Sequence, residues 1–124
     1  MAVSEKSLLL LLRDVVSARA SGRCEFPGCQ KTDADPHHAG GRGNAVLFDP
    51  DTCINLCACH HTSGATSAHG TPEAFKAAII NTKVRPYDWF DGVRFKANQV
   101  VKDTAEFRAE WKERLLNELR RAAA

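Results

Sequence analysis

The sequence predicts an α+β fold in which helices at both ends flank a middle of short strands, and three observations predict it. Apolar residues recur at helical spacing near the start (Leu8, Leu11, Leu12, Val15, Val16) and near the end (Phe107, Trp111, Leu115, Leu116, Leu119) of the 124-residue chain. Between them, residues 22–51 are rich in Gly, Pro and Asp, a composition that breaks long elements and suits loops with short strands. All five cysteines and all five histidines fall between Cys24 and His69, which supplies ligands for metal in the stretch with the least apolar content to hold it.

Taken in order, Ser4 or Ser7 can cap a first helix over about residues 4–20, and Gly22 ends it. Thr71-Pro72-Glu73 reads as a second helix start, a cap followed by proline at the first helical position, leading through Phe75, Ile79 and Ile80 to a stop at Pro86. Residues 87–95, YDWFDGVRF, read as two short aromatic strands about an Asp-Gly turn. Asp103-Thr104 opens a last helix, so that the hairpin and this helix occupy about residues 84–122.

Length and composition set the outer bounds. A chain of this size is expected to form a single domain over residues 1–124, and 44% hydrophobic with 26% charged residues is the usual balance of a soluble protein. A formal charge of +2 permits a polyanionic partner without demanding one, so nucleic-acid binding has to be argued from local sites. The apolar run Leu8 to Leu12 is too short to span a bilayer, and Glu5 sits where a secretory signal would be basic. The chain is therefore expected in the cytoplasm, away from membranes. In that reducing compartment an odd number of cysteines among histidines points to metal ligation over disulfides.

Cys24-Glu25-Phe26-Pro27-Gly28-Cys29 places two thiols around a Pro-Gly turn, a knuckle that aims both sulfurs at one ion. The second half comes from Leu56-Cys57-Ala58-Cys59-His60-His61, where Cys57 and His60 have the two-residue gap of a zinc half-site. Cys24, Cys29, Cys57 and His60 are the preferred structural Zn²⁺ set, with Cys59 in place of His60 as the substitute. Cys53 is left without a partner and reads as a small buried apolar residue.

His37, His38, His61 and His69 then remain. Asp35-Pro36-His37-His38 followed by Gly40-Gly41-Arg42-Gly43, then Leu56-Cys57-x-x-His60-His61, then Ala68-His69-Gly70-Thr71-Pro72-Glu73-Ala74-Phe75, resembles the HNH endonuclease family over about residues 22–80, in a zinc-supported, phage-like branch. The resemblance implies a ββα-metal core, in which a hairpin bears the paired histidines and a helix bears the later ones. It implies His37, His61 and His69 as ligands of a catalytic divalent ion (Mg²⁺, Mn²⁺, Ni²⁺ or Zn²⁺) and His38 as general base.

Chemistry supports that division independently. Phosphodiester hydrolysis needs a water stripped of its proton and positive charge at the phosphoryl oxygens, and an imidazole and a divalent ion supply these. Successive residues of a strand face opposite ways, so His37 and His38 cannot both reach one ion without a bend. Where the family carries its asparagine, nine residues before His61, this chain has Thr52, and the nearest asparagine is Asn55. Either is a candidate for fixing the loop that holds the base. Residues 63–66 stand as an insertion that widens the gap from His61 to His69.

Arg42, between glycines, is a candidate phosphate contact. Lys83, Arg85, Arg94 and Lys96 are candidates for a basic face, and core packing is the expected role of Tyr87 and Trp89. The expected function is metal-dependent hydrolysis of DNA. Two other readings are a non-catalytic zinc-dependent nucleic-acid-binding module, and a phage packaging or recombination nuclease active only with a partner.

Overall fold

The computed structural model describes residues 2–123. The chain runs through α1 (Glu5–Arg19), β1 (Ala34–His38), β2 (Cys53–Cys57), α2 (Pro72–Asn81), α3 (Trp89–Ala97) and α4 (Ala105–Ala123). A short 3-10 turn at Pro50–Thr52 leads into β2, and a π-helical turn at Cys59–Ser63 follows it. The class is mixed α+β, as the sequence predicts. No helix among the described residues is long and apolar enough to cross a membrane.

Ser4, not Ser7, caps α1: its hydroxyl accepts from the Ser7 N–H at 3.0 Å. Beyond Arg19 the backbone turns left-handed at Ser21 and Gly22, and the Gly22 N–H returns to the Ser17 carbonyl at 2.8 Å, closing the helix end. Leu8, Leu12, Val15 and Val16 are buried against Leu47, Phe48, Cys53 and, from α4, Leu115. Phe107, Trp111 and Leu119 extend the same stripe of α4 onto this cluster. At the helix ends Arg19 holds Glu118 through two bonds of 2.6 Å and Asp51 at 2.9 Å, fastening α1 to α4 and to the turn before β2.

The two strands pair antiparallel, with His37 opposite Ile54, His38 opposite Cys53 and Pro36 opposite Asn55. That last pairing explains how proline is accepted in a two-stranded sheet. Pro36 has no N–H to give, and Asn55 turns both its backbone groups to the other edge, donating to Glu25 Oε2 at 2.7 Å and accepting from the Glu25 N–H at 2.8 Å. Arg85 completes this edge, holding Glu25 Oε1 at 2.9 Å and the Cys53 carbonyl at 3.1 Å. With both edges and both faces covered, β2 is buried at every residue. A second apolar cluster forms behind it from Ile54, Leu56, Phe75 and Ile79, with Cys24 and Cys57.

Residues 87–95 correct the sequence reading. The expected aromatic hairpin is instead the helix α3, and Asp91-Gly92 lies inside it with the Gly92 N–H bonded to the Asp88 carbonyl at 3.0 Å. The spacing misleads because the segment buries only Val93, while Tyr87 and Phe95 are 89% and 73% exposed and so pack in no core. What holds α3 is close approach to the loop after β1. A Cβ on Gly40 would fall 2.9 Å from Val93 Cγ1 and 3.3 Å from the Ala97 Cβ, so glycine there admits the helix. Trp89 is half-buried, its indole N–H donating to the Asp51 carbonyl at 3.2 Å. α2 also stops before Pro86: it ends at Asn81, followed by Lys83 at φ +60°.

Candidate metal centres

The knuckle and the turn after β2 come together as the spacing predicts. One ligand atom from each of Cys24, Cys29, Cys57 and His60 lies within 4.8 Å of all the others, so this Cys3His cluster can hold a metal ion such as zinc. Zinc bonds of about 2.3 Å to sulfur and about 2.0–2.1 Å to nitrogen give tetrahedral edges of about 3.8 Å for S···S and about 3.6 Å for S···N. The structure has Cys29 Sγ to Cys57 Sγ at 4.0 Å, Cys24 Sγ to His60 Nδ1 at 3.6 Å and Cys57 Sγ to His60 Nδ1 at 3.3 Å. The donor set fits. Phe26 lies flat on the His60 ring at 4.0 Å and 7° and holds its plane, and Nδ1 is the nitrogen turned to the sulfurs.

Electrostatics differ across the four. Burial pushes the Cys24 thiol up to about 11, against backbone N–H groups of Cys57 and Phe26. Burial also opposes the Cys57 thiolate, but N–H donors from the turn and the neighbouring thiols outweigh it and hold its pKa below the ordinary thiol value. Cys59 lies outside the cluster, its sulfur against Gly64. Cys53 is buried with Sγ 3.6 Å from the Asp49 carbonyl, and burial, with the Asp49 charge, pushes its thiol up to about 12.

A second cluster is made only of imidazoles. His37, His61 and His69 each bring one nitrogen within 4.8 Å of the others. Their ring centres form a nearly equilateral triangle of 5.1, 5.0 and 4.9 Å, and His61 Nε2 lies 3.2 Å from His69 Nε2, close to the about 3.3 Å edge of a tetrahedral nitrogen site. His37 is buried with Nδ1 lacking any hydrogen-bond partner, an orphan that a cation is suited to complete. Burial first, then the charges of His61, His69 and His38, lower His37 to about 4. Burial likewise lowers His61, so both rings are neutral near pH 7 and have lone pairs to offer. Three imidazoles would leave a position open on an ion held there, whereas the four donors of the Cys3His cluster would close theirs.

The wide gap to His69 is closed by the backbone. The Ala68 and His69 N–H groups donate back to the carbonyls of His60 and His61 at 2.9 and 3.0 Å, folding the inserted residues into a loop. Ser67, fully buried, pins it: its hydroxyl donates to the Thr62 carbonyl at 3.3 Å and accepts from the Gly70 N–H at 3.0 Å. Gly64 permits the fold-back, since a Cβ there would fall 2.4 Å from the Cys59 carbonyl oxygen.

His38 stands apart from the triangle on the opposite face of β1, as strand alternation requires. Its Nε2 lies 3.0 Å from the Leu47 carbonyl oxygen. A carbonyl only accepts, so Nε2 carries the proton in the neutral ring and Nδ1 keeps the lone pair. Burial lowers the His38 pKa, the Leu47 carbonyl opposes this, and the charges of Arg42 and His61 reinforce it. Sequence reasoning had no access to the Leu47 anchor, a main-chain atom that its side chain does not announce.

Thr52 and Asn55 separate cleanly. Thr52 is buried, and its hydroxyl lies 3.0 Å from the Asp49 carbonyl and 3.4 Å from that of Val46, gripping the segment that carries Leu47. Asn55 faces the knuckle instead, donating to the Arg23 carbonyl at 3.0 Å. Arg42 is exposed in the glycine loop. The expected basic face is reduced, because Arg85 is engaged by Glu25 and Lys96 by the buried Asp49. No family model, curated protein or solved structure matches the chain.

Proposed function

We propose that this protein is a metal-dependent endonuclease of the HNH type that hydrolyses DNA phosphodiester bonds. The observation that carries the reading is the triangle of His37, His61 and His69 joined, through one strand, to a fourth histidine anchored at Nε2 with Nδ1 free. In this reading β1, β2 and the ligand-bearing turn that follows are the ββα-metal core. Cys24, Cys29, Cys57 and His60 would hold a structural zinc, and the three imidazoles would hold the catalytic divalent ion, Mg²⁺, Mn²⁺, Ni²⁺ or Zn²⁺. Such an ion supplies charge neutralisation at the phosphoryl oxygens and at the departing 3′ oxygen.

The chain's own residues do the rest. His38 Nδ1 takes the proton of the attacking water, and the Leu47 carbonyl keeps the ring in the tautomer that can do so. Thr52 holds the loop that carries this carbonyl, the duty the family gives its asparagine. Arg42 offers a guanidinium to the phosphate from a loop whose glycines allow close approach. The products are a 5′-phosphate and a 3′-hydroxyl.

The test is incubation of the purified chain with supercoiled plasmid and each of the four ions, beside His38→Ala. Metal-dependent nicking should fall on the order of 10²–10⁴-fold in the variant. Nicking at the wild-type rate in His38→Ala removes His38 as base. Silence of the wild type with every ion and DNA form replaces the nuclease with a zinc-dependent nucleic-acid-binding module.

A further inference from the structure

Beside the strand that bears the histidine pair lies a cleft that belongs to neither metal cluster. It opens where the chain leaves β1, at Ala39 and Gly40, and is walled by Lys76 of α2 and by Phe90, Arg94 and Asn98 at α3. Its volume is about 200 Å³, below the roughly 300–1,000 Å³ of pockets that enclose a small molecule, so it suits one group of a longer ligand that continues outside. Lys76 and Arg94 come from different helices. The Lys76 ammonium lies 5.7 Å from the centre of the Phe90 ring, and Phe90 and Arg94 are one helical turn apart.

Neither cation is used up within the protein. Lys76 has Glu73 at 3.8 Å and Arg94 has Asp91 at 3.9 Å, one turn away on the same helix, with the two acids 90% and 81% exposed. Pairs so long and so wet contribute little and yield to a better anion. By contrast Arg85 and Lys96, two of the cations expected on a basic face, are held by Glu25 and Asp49. Ala39, which lines the cleft, follows His38 directly in the chain.

We infer that the cleft between α2, α3 and the Gly40 loop is a backbone-phosphate subsite, in which Lys76 and Arg94 hold a phosphodiester of the DNA strand neighbouring the one to be cut. The inference takes its polymer from the nuclease reading but stands on the cleft and its two cations. Gly40 shapes the cleft: without a Cβ it lets α3 approach closely enough to place Arg94 beside the loop.

The experiment measures binding of a short labelled duplex to wild type, Lys76→Gln, Arg94→Gln and, as a control for net charge alone, Lys112→Gln on exposed α4, across a salt series, with plasmid nicking alongside. Each cleft variant should weaken binding several-fold and lower the slope of log K against log salt by about 0.9, with KM raised more than kcat is lowered, whereas Lys112→Gln leaves the slope alone. Unchanged affinity and slope in both cleft variants, with wild type still nicking, overturns the subsite and leaves the nuclease standing. Binding that weakens in the cleft variants while wild type never nicks supports the subsite and removes the nuclease. A wild type that neither binds nor nicks removes both. Thermal melts matching wild type establish that these substitutions leave the fold intact.

Discussion

At the scale of single residues, Thr52 and Asn55, the two candidates that the HNH resemblance offers for holding the loop of the base, do different work. Thr52 grips the Val46 and Asp49 carbonyls on either side of Leu47, whereas Asn55 is spent on the backbone before Cys24. Thr52→Val keeps the shape and leaves buried carbonyls without their donor, at a cost of about 1–3 kcal/mol. It should lower the urea midpoint and, under the proposed function, also slow nicking beyond what the stability loss explains, because His38 loses its anchor. Asn55→Ala should chiefly weaken zinc retention, read with a chromogenic chelator. The opposite pattern, nicking lost in Asn55→Ala and kept in Thr52→Val, would reverse the assignment. The offset from the family's position was visible in the sequence, but the loop carbonyls that decide between the two were not, since hydrogen-bond partners on the main chain leave no mark on residue identity.

At the scale of elements, what was legible depended on how much apolar surface each one buries. α1 buries Leu8, Leu12, Val15 and Val16, α2 buries Phe75 and Ile79, and α4 buries Leu115 with Phe107, Trp111 and Leu119 half-buried at helical spacing around it, so their periodicity shows in the sequence. α3 fully buries Val93 and half-buries the adjacent Trp89 and Phe90 at its start, and with no longer stripe at helical spacing its alternating aromatics and Asp-Gly pair imitate a hairpin. Gly92 tests the difference. It sits in the helix, and a Cβ added to it would meet open space out to 4 Å, so Gly92→Ala should stabilise the protein by about 0.5–1 kcal/mol, measured by thermal melt. A hairpin with glycine at positive φ would instead be destabilised by the same change. The Cys3His cluster was legible because short spacings constrain geometry locally, while the placing of His69 beside His37 and His61 depended on a fold-back fixed by Ser67 and by carbonyls of the π turn.

At the scale of the whole molecule, the apolar residues form two clusters, one between α1 and α4 and one behind β2 that includes Cys24 and Cys57. The second is where a structural ion would act, with a contribution on the order of 10 kcal/mol to folding. Strong chelation or Cys24→Ser should therefore abolish the cooperative melt of the domain, whereas His38→Ala should shift it only slightly. Equal losses would contradict the separation into a structural and a catalytic centre. His60 and His61 are neighbours on one π turn yet belong to different clusters. Under the proposed function that adjacency makes the two centres a thermodynamically linked pair: filling the thiolate site sets the turn that presents His61, and by reciprocity an ion among the imidazoles tightens the zinc. Because the thiolate site is expected to hold the domain folded, the linkage is read from the other side: a divalent ion bound among the imidazoles should slow release of the structural metal to a chromogenic chelator, so that occupancy of one centre sets the retention of the other.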